Sequence, residues 1–251
     1  MTPITSHVWA IRPSFNLREC FAFRRARALL DKPHAEGDFW EPFTVAEILK
    51  VQTGVAHIFI SGAILPGAWR CEGTDTDILR AAVAKAVADP AVNSIQLHID
   101  SPGGAVPGIP QIAAMLRDAG KPVSAHIKSD CCSAAYWLAA QATAGITAER
   151  GAFIGCLGVY QVLVDESKLY KDLGLDVRVY ASDPVKGLGV TGAPINDEQD
   201  AFLREHIAEL ADLFWADIHA ARPKIPRSAF SGAWHLPEKA AELHLIDDFY
   251  L

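Results

Sequence analysis

From residue 55 the chain alternates between stretches with the character of strands and stretches with the character of helices. VAHIFISG (55–62) is rich in β-forming residues and ends in a turn. GTDTDILRAAVAKAVADP (73–90) offers Thr and Asp caps, a helical period and a closing proline, so it predicts a helix. SIQLHID (94–100) predicts a strand. VPGIPQIAAMLRDAG (106–120) opens with proline and closes with glycine, again a helix. PVSAHIK (122–128) predicts a strand and SAAYWLAAQA (133–142) a helix. This alternation implies an α/β fold with a parallel sheet and right-handed crossovers. Weaker strands are expected at 145–148, 152–154 and 158–164, a helix at 166–174 and a strand at 177–181. A long helix is expected at 195–222, with Phe202, Ile207, Leu210, Leu213, Phe214 and Ile218 at helical spacing. A last helix at 237–243 precedes a short end strand. Residues 1–50 carry Pro3, Pro13, Pro33 and Pro42 and no clear period, with short helices expected near 16–31 and 44–50. The expected organisation is an N-terminal extension, 1–54, and one domain, 55–251.

Composition narrows the classes. Half of the 251 residues are hydrophobic, enough for a core of ordinary depth. No run of about 18 apolar residues occurs, so no membrane span is expected. The first thirty residues lack the apolar stretch of a secretory signal. The net charge of −7 argues against nucleic acid as partner, and Arg24, Arg25 and Arg27 read as a solvated helix face. Five cysteines (Cys20, Cys71, Cys131, Cys132, Cys156) are irregularly spaced, without C-x-x-C or H-E-x-x-H. No metal or other cofactor is expected, and a reducing, cytoplasmic compartment is the simplest reading.

Ligands of parallel sheets gather at the carboxyl ends of strands. Two unusual segments stand there, DSPGGAV (100–106) and SDCCSAAYWLAA (129–140), from consecutive strands. SPGG reads as a tight strand-to-helix turn. It also reads as a cradle, because Gly103 and Gly104 can present bare N–H groups to an oxyanion. Ser133 reads either as an N-cap or as a nucleophile whose neighbouring Ala134 N–H joins Gly104 at the oxyanion. The vicinal pair Cys131–Cys132 reads either as redox-active or, more in keeping with how cysteines pack, as small hydrophobes. No histidine lies between His126 and His206, and Cys131 and Ala135 replace the glycines of a G-x-S-x-G elbow. Lysine remains as base: Lys128, Lys168, Lys171 or Lys186. Lys186 stands apart, in the loop SDPVKGLGVTGAP after strand 177–181. A lysine base must be neutral, and lowering its pKa from about 10.4 by roughly 3 units takes about 4 kcal/mol against the ammonium. Val185 and Leu188 are placed to supply apolar cover; Asp183 would oppose it.

Together, DSPGG (100–104), CSAAYWLAA (132–140), GCLGV (155–159) and Lys186 resemble the signal peptide peptidase A family of serine peptidases. The resemblance runs over about 55–248 and includes FSGAWHLPEKAAELHLID (230–247). It implies a Clp protease/crotonase-like fold, a parallel sheet of repeated ββα units with helices packed around it. It implies a Ser–Lys dyad, Ser133 as nucleophile and Lys186 as base, with Gly104 and Ala134 as the oxyanion hole. It also implies a polypeptide substrate, no cofactor and a homo-oligomer. Within the family the chain looks like phage minor capsid protein C type members. Those carry a Cys before the serine, as Cys132 here, an N-terminal extension and no membrane anchor. That implies processing of scaffold or portal-associated protein, in the host cytoplasm or prohead. Departures are Ala134–Ala135, where the family has glycine, and Cys156, where it often has a serine that hydrogen-bonds the lysine. Cys156 and Lys186 each stand one position off the usual spacing, which one insertion between 141 and 152 explains. Other readings are a cytosolic signal-peptide-peptidase-like protease and a catalytically idle capsid- or scaffold-binding homologue. A crotonase-like acyl-CoA enzyme would share the oxyanion hole but explains neither Ser133 nor Lys186.

Overall fold

The structure is a computed structural model, and it describes residues 9–11 and 42–250. The described residues divide into two compact units: a larger one, holding 10–11, 42–158 and 214–250, and a smaller one, holding residue 9 and 159–213.

The larger unit is built on an eight-stranded sheet. Its centre is β3 (Val55–Ser61), β6 (Ser94–Ser101) and β8 (Val123–Cys132), mutually parallel in the order β3-β6-β8. The pairing of β6 with β8 makes neighbours of the two segments that carry the candidate chemistry. Each strand points alternate residues inward. Ile58, Ile60, Ile95, Leu97, Ile99, Val123 and Ile127 are buried, while His57, Gln96, His98, Ser124 and His126 on the other face are half-buried. Against the apolar face lie α2 (Thr76–Ala88), through Leu79 and Val83, and α3 (Ile109–Arg117), through Ile112 and Leu116. Asp75 starts α2 by accepting N–H bonds from Asp77 (2.8 Å) and Ile78 (2.9 Å), a cap worth about 1 kcal/mol.

A second sheet of four strands has the order β1-β7-β4-β5, with β1 (Trp9–Ile11), β4 (Ala63–Leu65), β5 (Gly73–Asp75) and β7 (Gly103–Ala105). Twice the chain leaves the large sheet, adds to the small one and enters a helix: β3, β4, β5, α2 and then β6, β7, α3. The second is a ββα unit as expected, the first carries one strand more, and the α/β class is as expected.

Several elements differ from the sequence reading. Residues 44–50 are helical only over α1 (Val45–Ile48). Then β2 (Leu49–Gln52) pairs antiparallel with β3, so part of the expected extension joins the sheet. Residues 73–75 are strand, because β4 offers a partner before Asp75 caps the helix. The stretch 158–164 forms no strand beyond an isolated bridge at Tyr160, and 177–181 forms none. VRVYA alternates as a strand should, yet Val179 is 42% and Tyr180 90% exposed. Alternation without a partner leaves backbone groups to water. The helix expected near 16–31 lies outside the described residues.

The sheet is completed by β9 (Ile146–Ala148), β10 (Phe153–Gly155), β11 (Trp234–His235) and β12 (Asp248–Phe249). The smaller unit holds α5 (Ser167–Asp172) and the start of α6 (Asp197–Ala221), a helix that ends in the larger unit. Asn196 and Gln199 exchange side-chain bonds to each other's backbone N–H at the start of α6 (2.8 and 3.2 Å), a capping box. Among the described residues no helix is long and apolar enough to cross a membrane.

Candidate active site

The site grows out of an irregularity between β6 and β8. The strands pair in register up to Ile99 opposite Ile127, and then Ser101 faces Cys131. β8 therefore carries two more residues than β6 over this interval, a bulge of the kind that re-aims a strand end. The backbone N–H of Asp130 reaches Asp100 Oδ1 at 3.4 Å across it. Beyond the bulge β8 pairs with β10, Cys131 with Ile154 and Cys132 with Gly155. DSPGG, SDCCS and GCLG thus converge at one end of the sheet, where the chain passes from β8 into α4 (Ala134–Ala139).

Ser133 is the hinge of that passage. Its backbone has φ 55° and ψ −117°, a region that residues with a Cβ rarely adopt. Its N–H donates to the Gly155 carbonyl at 2.8 Å. It occupies the N-cap position, yet its side chain caps nothing. The hydroxyl donates instead to the Gly158 carbonyl at 3.3 Å. Capping therefore does not explain this serine. The first N–H groups of α4, Ala134 included, receive no side-chain cap and point from the helix mouth. Ser133 is 1% exposed.

Around it the helix is wholly buried. Trp137 stacks on Phe214 with centroids 4.2 Å apart and donates its Nε1–H to Asp217 at 2.9 Å. Tyr136 donates its hydroxyl to the Leu245 carbonyl at 2.7 Å, and burial drives its pKa far up. These anchors fix the start of α4 from two directions.

The cysteines are packing groups. Cys131 and Cys132 are fully buried. Burial, with lesser contributions from Cys132 and Asp130, pushes the Cys131 thiol well above its ordinary pKa, so it stays protonated and inert. Cys132 Sγ contacts the Phe153 carbonyl at 3.5 Å. Cys156 has φ 52° and donates its N–H to the Ala233 carbonyl.

Gly104 sits in β7 opposite Ile64 of β4. A Cβ at this position would lie 1.9 Å from the Ile64 carbonyl oxygen, so only glycine lets the two strands close. Gly103, at φ 101°, donates its N–H to the buried Ser101 hydroxyl at 3.2 Å. Ser101 shapes the glycine turn, a role the sequence signalled only through the SPGG pattern. The Gly158 carbonyl that holds the Ser133 hydroxyl also went unforeseen, although GCLGV marked the segment.

Lys186 belongs to the smaller unit, whereas Ser133, Gly104 and Ala134 belong to the larger. It lies in a tight turn: its N–H donates to the Asp183 carbonyl at 3.0 Å, and the Val185 N–H donates to Asp183 Oδ1 at 2.9 Å. The turn borders a cleft of about 470 Å³ lined by Lys186 itself together with Val177, Val179, Pro184, Ala193 and Gln199. Val185 and Leu188 are half-buried, but Lys186 is exposed. Lys186 therefore lines an open cleft without the apolar enclosure expected of its loop. Among the described residues no cluster of His, Cys, Asp or Glu has the makings of a metal site.

Residues 115–250, more than half of the chain, match the family model Peptidase family S49. Over 142 residues the chain is 29% identical to Protease 4 of Salmonella typhi, which covers 55% of this chain and 23% of that protein. It is 29% identical over 123 residues to a Methanocaldococcus jannaschii protein provisionally named as a protease, covering 48% of this chain and 39% of that one. The chain thus spans less than half the length of these curated relatives. Similar solved structures include a membrane-bound stomatin-specific protease in complex with a substrate peptide (15% identity, 78% of this chain, 74% of that one, TM-score 0.44). Another is an enoyl-CoA hydratase from Shewanella pealeana (11% identity, 80% and 67%, TM-score 0.46).

Proposed function

The chain belongs to Peptidase family S49, and from that premise we propose that it is a serine endopeptidase with Ser133 as nucleophile and Lys186 as general base. The observation that carries the reading is Ser133 itself: a buried serine in a strained backbone conformation at a helix mouth, with a hydroxyl that caps nothing. Strain of this kind costs about 1–3 kcal/mol and persists where function demands it. In the proposed reaction neutral Lys186 Nζ takes the Ser133 hydroxyl proton as Oγ attacks a peptide carbonyl carbon. The N–H groups of Gly104 and Ala134 receive the oxyanion. Collapse of the adduct expels the amine, which takes the proton back from Lys186. Water, deprotonated by the same lysine, then attacks the acyl carbon; the Ser133 Oγ–acyl bond breaks, and Lys186 returns the proton to Oγ.

The exposure of Lys186 bears on this directly. A lysine base needs apolar cover, so activity requires that Lys186 be desolvated when substrate is bound. This same observation favours a second reading, a catalytically idle homologue that binds capsid or scaffold protein. The finer assignment, a phage-type enzyme acting on scaffold or portal-associated protein in the cytoplasm or prohead, is supported by Cys132 before the serine and by the N-terminal extension. Assembly into a homo-oligomer is supported by the exposed apolar side chains of the smaller unit, among them Leu173 (66%) and Tyr180 (90%).

Cleavage of a casein and scaffold-protein panel by the parent chain, Ser133→Ala and Lys186→Ala tests the reading. Activity, followed from about pH 6 to about 10, should need both residues and rise with pH, as a base that must be neutral requires. Activity that survives Lys186→Ala would assign the base elsewhere. Absence of Ser133-dependent cleavage on any substrate, together with binding to scaffold protein, would establish the idle homologue.

A further inference from the structure

The small sheet ends at β1. Its order is β1-β7-β4-β5, so β7 has β4 on one side and β1 on the other. Without β1, Gly103–Ala105 would be an edge strand, a row of unpaired N–H and C=O groups open to any extended chain. This edge carries Gly104. Adding a strand to an exposed edge is how extended peptides commonly bind, and a peptide added here would lie beside the proposed oxyanion donor. In this protein the place is already taken by the chain's own Trp9–Ile11. The pairing also joins residues more than ninety positions apart, a closure that persists only if the edge rewards it.

We propose that Trp9–Ile11 is an internal competitor: it occupies the edge of β7 on which an extended polypeptide substrate would bind, and it must leave before substrate can be engaged. The inference rests on the peptidase reading for its consequence, but the occupancy of the edge does not. It assigns a regulatory role to the N-terminal residues and makes the enzyme latent until a partner or a substrate strand displaces them. The cost of latency follows from competition. If the edge is free only about one-tenth to one-hundredth of the time, apparent affinity for an added strand falls about 10- to 100-fold.

The test uses the full chain. Ala10→Pro and Ile11→Pro each remove one backbone N–H, and because consecutive residues point their N–H groups to opposite sides, one of the two strikes the bond to β7. Both are made in the Ser133→Ala background, where binding can be read without cleavage. Two readouts are taken: hydrogen exchange at the amides of Gly103–Ala105, and binding of a fluorescent peptide spanning residues 6–14, SHVWAIRPS. At least one variant should exchange faster at β7 and bind the peptide about tenfold or more tightly than Ser133→Ala alone. Exchange and affinity unchanged in both variants would overturn the proposal. The unsubstituted chain gives a reading that needs no variant: excess peptide should compete with β1 and speed exchange at Ala10 and Ile11, and its failure to do so at saturating peptide would equally overturn it. The same substitutions with Ser133 restored then separate the two ideas. Faster casein cleavage supports both. Tighter binding without Ser133-dependent cleavage of any substrate leaves β1 as competitor at the edge and sinks the peptidase reading.

Discussion

Replacing Gly104 by alanine probes the link between packing and chemistry most directly. The added Cβ would fall 1.9 Å from the Ile64 carbonyl oxygen, 2.6 Å from its carbonyl carbon and 2.7 Å from its nitrogen. All three are backbone atoms of β4, a buried strand held by β5 on its far side, so no flexible side chain can yield. Strand β7 must retreat by about 1 Å or more to reach even a tight contact, and overpacking of this kind costs about 1–3 kcal/mol. In the proposed mechanism the retreat carries the Gly104 N–H away from the oxyanion. An oxyanion donor works only within about 2.7–3.1 Å, and losing one costs about 10²–10³ in kcat. We therefore expect Gly104→Ala to lower kcat by about 10² or more with a much smaller change in KM, and to lower the urea midpoint in parallel. Gly232→Ala is the control, since a Cβ there meets nothing within 4 Å. It should stay within about 0.5 kcal/mol of the parent with full activity. A Gly104→Ala protein with parental stability and parental kcat would refute both the packing argument and the oxyanion assignment.

Two further outcomes follow from the backbone of Ser133 and from the histidines of the open sheet face. Ser133→Gly and Ser133→Ala should both be inactive, but glycine should be the more stable by about 1 kcal/mol, because only it accepts φ 55° and ψ −117° without strain; denaturation that ranks alanine equal or higher would remove the strain argument. His98 lies with Nε2 3.0 Å from His57 Nδ1 and its ring stacked on Phe59, near His126. Desolvation first, then the charges of His57 and His126, hold its pKa below the ordinary 6.5. The unfolded chain thus takes up a proton more readily than the folded one, so the contribution of His98 is complete above about pH 6.5 and is lost as pH falls through the depressed folded value. Stability measured against pH should decline on acidification below that point and flatten in His98→Gln; an unchanged slope would place the acid sensitivity elsewhere.

Local pattern and tertiary closure divided the work unevenly along this chain. The helices α2, α3 and α6 and the strands β3, β6 and β8 were legible because each carries its own period, and burial of one face is a local demand that neighbouring residues meet together. The serine, the glycine turn and the GCLGV segment were legible as residue types that chemistry needs, and as a family resemblance. Strands β5 and β7, written in Gly-Thr-Asp and Gly-Gly-Ala, were not, because such residues have no strand preference of their own and pair only where β4 presents an edge. VRVYA failed in the opposite sense, a good strand pattern without a partner. The bulge in β8 was equally hidden, since a register shift is a property of two strands and not of either sequence. Sequence by itself therefore determined the α/β class, the order of the main elements and which residues could do chemistry. Tertiary structure alone decided that Ser133 caps nothing, that Gly104 must be glycine, that Lys186 stands exposed and that Trp9–Ile11 lies on the edge of β7. All but the exposure of Lys186 depend on contacts between segments far apart in the chain, and no local free energy encodes such a contact.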